Sequence, residues 1–180
     1  GISMAVTNWE ETIEDKGWFK LPGQERVYRD WSWTKDNSGG QGEVDLNRAI
    51  YRSSNVYFYD LASRMEIRGL LGFAGQFGFG KNLAIDIPEA SSGLLPTPEW
   101  KRSAKNQPWY PGDSVNLGIG QGDLLATPLQ MATVAATIAN RGRVVRPRML
   151  LSSDVSIDEM SRVEEPLPVV GLSEEDWESM

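Results

Sequence analysis

A capped helix opened by Thr127-Pro128 narrows the possible folds of this chain more than any other feature. Thr127 suits the N-cap, and Pro128 suits the first helical position because its missing N–H would have no partner there anyway. Met131, Val134, Ala135 and Ile138 then recur along one stripe until Asn140-Arg141-Gly142 stops the run. The same grammar appears at Thr97-Pro98-Glu99-Trp100. Asp45 caps a helix through Leu46, Ala49 and Ile50, which Ser53-Ser54-Asn55 interrupts before Val56, Phe58, Tyr59, Ala62 and Met65 resume the period. Ile67 to Phe77 forms a further helix with Leu70, Leu71, Ala74 and Phe77 on one face, and Gly78 caps it. Residues 45–140 therefore read as a helical core.

The flanks are less regular. Residues 1–44 form a Trp- and Gly-rich, irregular lead-in. Within it, Gly17 to Gly23 is extended chain closed by a Pro22-Gly23 turn, and residues 37–42 are a loop. Gly1-Ile2-Ser3-Met4 reads as a cloning remnant. Residues 141–180 hold a short return strand, Val144-Val145 and Met149-Leu150-Leu151 around Pro147, then an acidic connection. Ser173-Glu174-Glu175-Asp176-Trp177 begins a helix that the sequence cuts short.

Of the net charge of −7, nine acidic residues against Arg162 alone place −8 after residue 152 and leave the body nearly neutral. Neither part carries the basic stripe of a nucleic-acid binder. The 180 residues contain no Cys and no His, which excludes disulfides, thiol nucleophiles, zinc fingers and His-based triads. Acyl-transfer or hydrolytic chemistry must then rest on Ser, Lys, Asp, Glu or Tyr. No apolar run reaches the roughly 20 residues of a membrane helix.

Three ordered stretches narrow the reading further. They are Asp15-Lys16-Gly17-Trp18-Phe19-Lys20-Leu21-Pro22-Gly23 with Tyr28-Arg29-Asp30-Trp31, then Arg52 to Tyr59, then Pro108 to Asp113 running on through Gly118-Ile119-Gly120-Gln121-Gly122 to Ala126-Met131. Together they resemble the transpeptidase domain of class B penicillin-binding proteins of the penicillin-binding protein 2 type. The resemblance implies a fold that is mainly α with a short strand, a helical subdomain cut from the α+β serine transpeptidase/β-lactamase-like fold. It further implies a peptidoglycan D,D-transpeptidase that cross-links stem peptides through an acyl-serine and is inhibited by β-lactams. Such an enzyme works at the periplasmic face of the inner membrane, beside a lipid II polymerase and elongation-complex proteins.

Chemistry in this family rests on S-x-x-K, S-x-N and K-[ST]-G motifs. The middle motif is Ser53-Ser54-Asn55, where Ser53 would relay a proton and Asn55 would hold the acyl donor. Taken alone, the tripeptide is more simply a C-cap and N-cap between helices. No K-[ST]-G occurs, and the single S-x-x-K, Ser32-Trp33-Thr34-Lys35, lies in a Trp-rich loop only 21 positions before Ser53. It is read as a decoy, so the nucleophilic Ser and Lys are expected to be absent and this segment alone inactive. No cofactor is expected. Some relatives hold a structural zinc on positions that fall here on Asp15, Asp30, Gln41 and Ser54, an incomplete ligand set for which no metal is expected. The two carboxylates are expected to bind Arg26 or Arg29 instead. Gly118 to Gly122 lacks a phosphate loop's Gly-Lys-Ser/Thr ending and reads as a packing turn.

Two rivals come from other classes. One is a non-catalytic peptidoglycan-binding module stacking glycan on Trp18, Trp31, Trp33 and Trp109. The other is a glycosidase using carboxylates such as Asp30, Asp86 or Glu89.

Overall fold

The computed structural model describes residues 1–36, 38–84, 89–145, 147 and 172–179. Two compact units divide the chain, one of residues 1–70 and 96–123, the other of residues 71–95 and 124–180.

The first unit contains four three-residue strands, β1 (Ile13–Asp15), β2 (Trp18–Lys20), β3 (Val27–Arg29) and β4 (Gly42–Val44). The lead-in expected to be irregular is thus partly ordered as two antiparallel ribbons. β1 pairs with β4 so that Ile13 faces Val44, and β2 pairs with β3 so that Phe19 faces Tyr28. Three residues are too few to show an alternating pattern, so pairing across the fold makes these strands rather than local propensity. The β2–β3 connection is legible: Pro22 and Gly23 fill the central positions of a turn closed by Gln24 N–H to Leu21 O at 3.1 Å, and Gly23 has the positive φ of 72° that a type II turn requires there.

Helices α1 (Leu46–Tyr51) and α2 (Asn55–Arg64) follow, with α4 (Pro98–Lys105) and α5 (Pro111–Gly118) completing the unit. Asp45 caps α1 by accepting the Arg48 N–H at 2.7 Å, and Thr97 caps α4 by accepting that of Trp100 at 3.0 Å. Val44, Leu46, Ala49, Tyr57 and Leu61 form one core. Ile2–Met4 is a 3-10 turn, and Ile2 packs against this core. A second core joins Leu21, Tyr28, Tyr59 and Val115, with Phe19 beside them. Within it the Tyr28 and Tyr59 rings lie 5.6 Å apart in a tilted pair.

Helix α5, which the sequence reading passed over, lies against α2 through Gly118. A Cβ there would sit 2.4 Å from Ala62 Cβ and 3.0 Å from Phe58 O, so only glycine allows this approach. Of the Gly118–Gly122 stretch, expected to be a packing turn, only Gly118 packs closely, and it is the last residue of α5; Gly120 and Gly122 form the turn after it with φ of 71° and 82°.

In the second unit, α6 (Pro128–Ala139) carries the expected Thr127 cap. Gln130 answers it, its Oε1 accepting the Thr127 N–H at 2.8 Å. The same fully buried side chain donates through Nε2 to the carbonyls of Gly78, Lys81 and Ser92 at 3.1, 3.0 and 2.8 Å. It thereby ties the irregular stretch after α3 (Ile67–Gln76) to α6. Val144 and Val145 form no strand, and Met149-Leu150-Leu151, like the acidic connection through residue 171, lies outside the described residues. The terminal helix α7 (Glu174–Ser179) does form, with Arg141 paired to Glu174 and Glu178 and Gly142 directly beneath the Trp177 ring.

Candidate functional site

The break between α1 and α2 takes its shape from its backbone. Ser53 adopts a left-handed conformation with φ 53°, a region that costs a residue with a Cβ about 1–2 kcal/mol. Ser54 N–H reaches back to Ala49 O at 2.9 Å and Ser53 N–H to Ile50 O at 3.1 Å, the paired bonds of a Schellman cap. Ser54 then starts α2 as its N-cap, Oγ accepting the Tyr57 N–H at 3.2 Å. The cap interpretation of Ser-Ser-Asn is therefore correct as local structure. It does not compete with a functional role, because the same geometry turns the three side chains in different directions. Ser54 is fully buried, while Ser53 and Asn55 both line an open depression of about 340 Å³. Ile50, Phe58, Gly118 and Ile119 form the rest of its wall.

Behind this turn lie Asp15 and Asp30, 1% and 5% exposed. Asp15 accepts the Ser54 Oγ–H through Oδ2 at 2.6 Å and the Gly17 N–H through Oδ1 at 2.7 Å. Asp30 accepts the Asn55 N–H through Oδ1 at 3.2 Å and the Ser32 Oγ–H through Oδ2 at 2.7 Å. Gln41 adds a longer bond from Nε2 to the same Oδ2 at 3.4 Å. The expectation that these carboxylates bind Arg26 or Arg29 is not met. Both arginines are exposed, with their guanidinium groups over the Tyr28 and Trp33 rings at 4.8 and 4.1 Å. These buried carboxylates instead accept converging hydroxyl and amide donors, including the first N–H of α2.

Asp15, Asp30, Gln41 and Ser54, the positions that correspond to a zinc site in some relatives, are thus linked to this one turn. They do not fit zinc. The Ser54 hydroxyl donates a hydrogen bond to Asp15 and Gln41 presents its amide N–H₂ to Asp30, whereas zinc favours imidazole and thiolate donors. No cluster of three or more metal-binding side chains occurs among the described residues.

The Ser32–Lys35 motif lacks the helical turn that would bring its Lys back over its Ser, and Ser32 is committed to Asp30 while Lys35 is exposed. Three of the four tryptophans of the glycan-binding rival are engaged by separate partners. Trp109 donates to Ser114 Oγ at 2.9 Å, Trp31 to Arg52 O at 3.3 Å, and Trp33 lies under Arg29. For the glycosidase rival, Asp30 has both oxygens engaged in hydrogen bonds, Glu89 is exposed, and Asp86 lies outside the described residues.

Sequence reasoning missed the linkage of residues 15, 30, 31 and 41 to residues 52–55, since contacts across 11 to 39 positions leave no local pattern. Its one trace was the mapping of zinc positions. It also missed Gly118, whose role depends on Ala62 across a helix interface.

The penicillin binding protein transpeptidase domain family matches residues 1–174. The peptidoglycan D,D-transpeptidase MrdA of Acinetobacter baumannii is 40% identical over 150 residues, covering 83% of this chain and 22% of that protein. The chain therefore spans less than a quarter of that relative's length. Among solved structures, Pseudomonas aeruginosa PBP2 in complex with WCK 5153 superposes with a TM-score of 0.86 at 36% identity, over 99% of this chain and 39% of that one. Helicobacter pylori PBP2 in its complex with MreC gives a TM-score of 0.74 at 29% identity, over 86% of this chain and 29% of that one. The helix-rich fold with its few short strands is that of a subdomain of the serine transpeptidases. The chain belongs to the penicillin-binding protein transpeptidase family, in its penicillin-binding protein 2 branch.

Proposed function

We propose that this chain forms one wall of the active-site cleft of a peptidoglycan D,D-transpeptidase, with Ser53 and Asn55 as its contribution to the chemistry. The observation that carries the reading is that Ser53 and Asn55 share one open depression while Ser54 between them is buried. In the reaction, a serine hydroxyl attacks the D-Ala–D-Ala carbonyl of a stem peptide, releases the terminal D-Ala and forms an ester. An amine from a second stem peptide then displaces the serine and closes the cross-link. The Ser53 hydroxyl can accept and pass on a proton, and its left-handed backbone turns it into the depression. The Asn55 carboxamide both donates and accepts, which suits it to hold the acyl donor's amide group. A β-lactam would acylate the same serine, because its strained amide presents a similar carbonyl.

Neither a nucleophilic Ser-x-x-Lys in helical register nor a K-[ST]-G strand is present in the sequence, so this chain alone is inactive and the attacking serine is supplied by other sequence. The whole enzyme would act at the periplasmic face of the inner membrane. Its partners would be a lipid II polymerase and elongation-complex proteins, a placement supported by the MreC complex of the Helicobacter pylori relative.

Intact mass before and after incubation with a reactive penicillin tests the reading. No mass gain on this chain is expected, against a stoichiometric adduct on the full-length protein that carries it. An adduct on the 180-residue chain would make one of its own serines the nucleophile and overturn the assignment.

A further inference from the structure

Every residue of the Arg52–Asn55 turn is held by hydrogen bonds, and the bonds beyond its own helix cap come from residues 15–41 of the lead-in. The Arg52 carbonyl accepts the Trp31 indole N–H at 3.3 Å and the Gln41 amide at 3.5 Å. Ser53 and Ser54 are closed by the Schellman bonds to α1. Ser54 Oγ is fixed on Asp15, and Asn55 N–H is fixed on Asp30. A left-handed serine is a strained choice where glycine would be free, so the conformation persists only because its surroundings enforce it. The enforcing groups contain no reactive atom directed into the depression, since Asp15 and Ser54 are buried and bonded to each other.

We propose that Asp15 and Asp30 are positioning residues that form a metal-free clamp, holding Ser53 and Asn55 in their reactive placement. Two carboxylates with hydroxyl and amide donors do here, through hydrogen bonds, what a metal would do with nitrogen and sulfur ligands. The inference rests on the transpeptidase reading for its catalytic consequence, but the clamp itself is a property of this chain.

The test uses the full-length protein carrying this sequence, with Asp15→Asn, Asp30→Asn, Ser54→Ala and Ser54→Thr variants. Each is assayed for its acylation rate constant with a fluorescent penicillin at a temperature where its unfolding curve shows it folded. Both Asp variants and Ser54→Ala should acylate at least about tenfold more slowly, since small misplacements at a reacting centre are costly. The loss should fall on the chemical step rather than on initial binding, and Ser54→Thr, which keeps the hydroxyl, should restore most of the rate. Amide hydrogen exchange across residues 52–55 should quicken in the slow variants and not in Ser54→Thr. A chelator should change neither quantity in the wild-type protein.

Folded Asp variants that acylate within twofold of wild type would refute the clamp, as would loss of acylation on chelation. Should an Asp variant not fold, Trp31→Phe removes one bond to Arg52 from an exposed ring and should still slow acylation and quicken local exchange. A wild-type protein that takes no penicillin would sink the transpeptidase reading instead. The exchange measurement would then still decide whether the clamp exists.

Discussion

Replacing Gly118 with alanine sets two physical effects against each other, and the structure says which one wins. Helix propensity alone favours the change, since alanine stabilises a helix interior by roughly 1 kcal/mol over glycine, and somewhat less in a last turn. Packing opposes it. The new Cβ would lie 2.4 Å from Ala62 Cβ and 3.0 Å from Phe58 O, so α5 and α2 would have to separate by more than an ångström. Overpacking of this kind costs typically about 1–3 kcal/mol, and a backbone carbonyl cannot swing aside as a side chain can. The net expectation is a destabilisation of about 1–2 kcal/mol, or roughly 2–8 °C in Tm for a domain of this size. Gly72 in α3 provides the control, because a Cβ there meets nothing within 4 Å. Gly72→Ala should therefore raise stability by about 0.5–1 kcal/mol. Urea unfolding of the two variants in parallel reads out the contrast. A Gly118→Ala protein as stable as wild type, or more so, would show that α2 and α5 do not meet as closely as described. Since Gly118 and Ile119 also line the depression beside Ser53 and Asn55, the same variant in the full-length enzyme should slow acylation by penicillin.

Gln130→Leu should cost at least about 3 kcal/mol in chemical denaturation, because it leaves three carbonyls and the Thr127 N–H without their partner in a buried site. A loss below about 1 kcal/mol would show that water or another side chain takes over these bonds. Burial pushes the Tyr57 phenol above its ordinary value of 10.0, in spite of its hydrogen bond with Thr7. The folded state thus favours the protonated phenol: its contribution is complete below pH 10 and is lost as pH rises through the higher folded value. In a spectrophotometric phenolate titration the alkaline unfolding limb should be weaker in Tyr57→Phe, and an unchanged limb would remove Tyr57 as its cause.

The sequence by itself determined where three of the helices start. Asp45, Thr97 and Thr127 each cap the helix they were expected to cap, because an N-cap is a contact between residues three apart and is written within four letters of sequence. The Thr127–Gln130 capping pair is written in the same four letters. Pro22-Gly23 likewise fixed its turn, and the ordered motifs fixed the family. Whether Ser53-Ser54-Asn55 was more than a cap was beyond local reading, since both roles use the same three letters. What the tertiary structure adds is placement: it buries Ser54 against Asp15 and leaves Ser53 and Asn55 on an open wall. The ribbons of residues 13–44, the partners of Asp15 and Asp30, and the need for glycine at 118 were decided there too. Each depends on groups far apart in the chain, whose meeting is set by the burial of Tyr57, Tyr59 and Val115 in the core rather than by any neighbour in sequence.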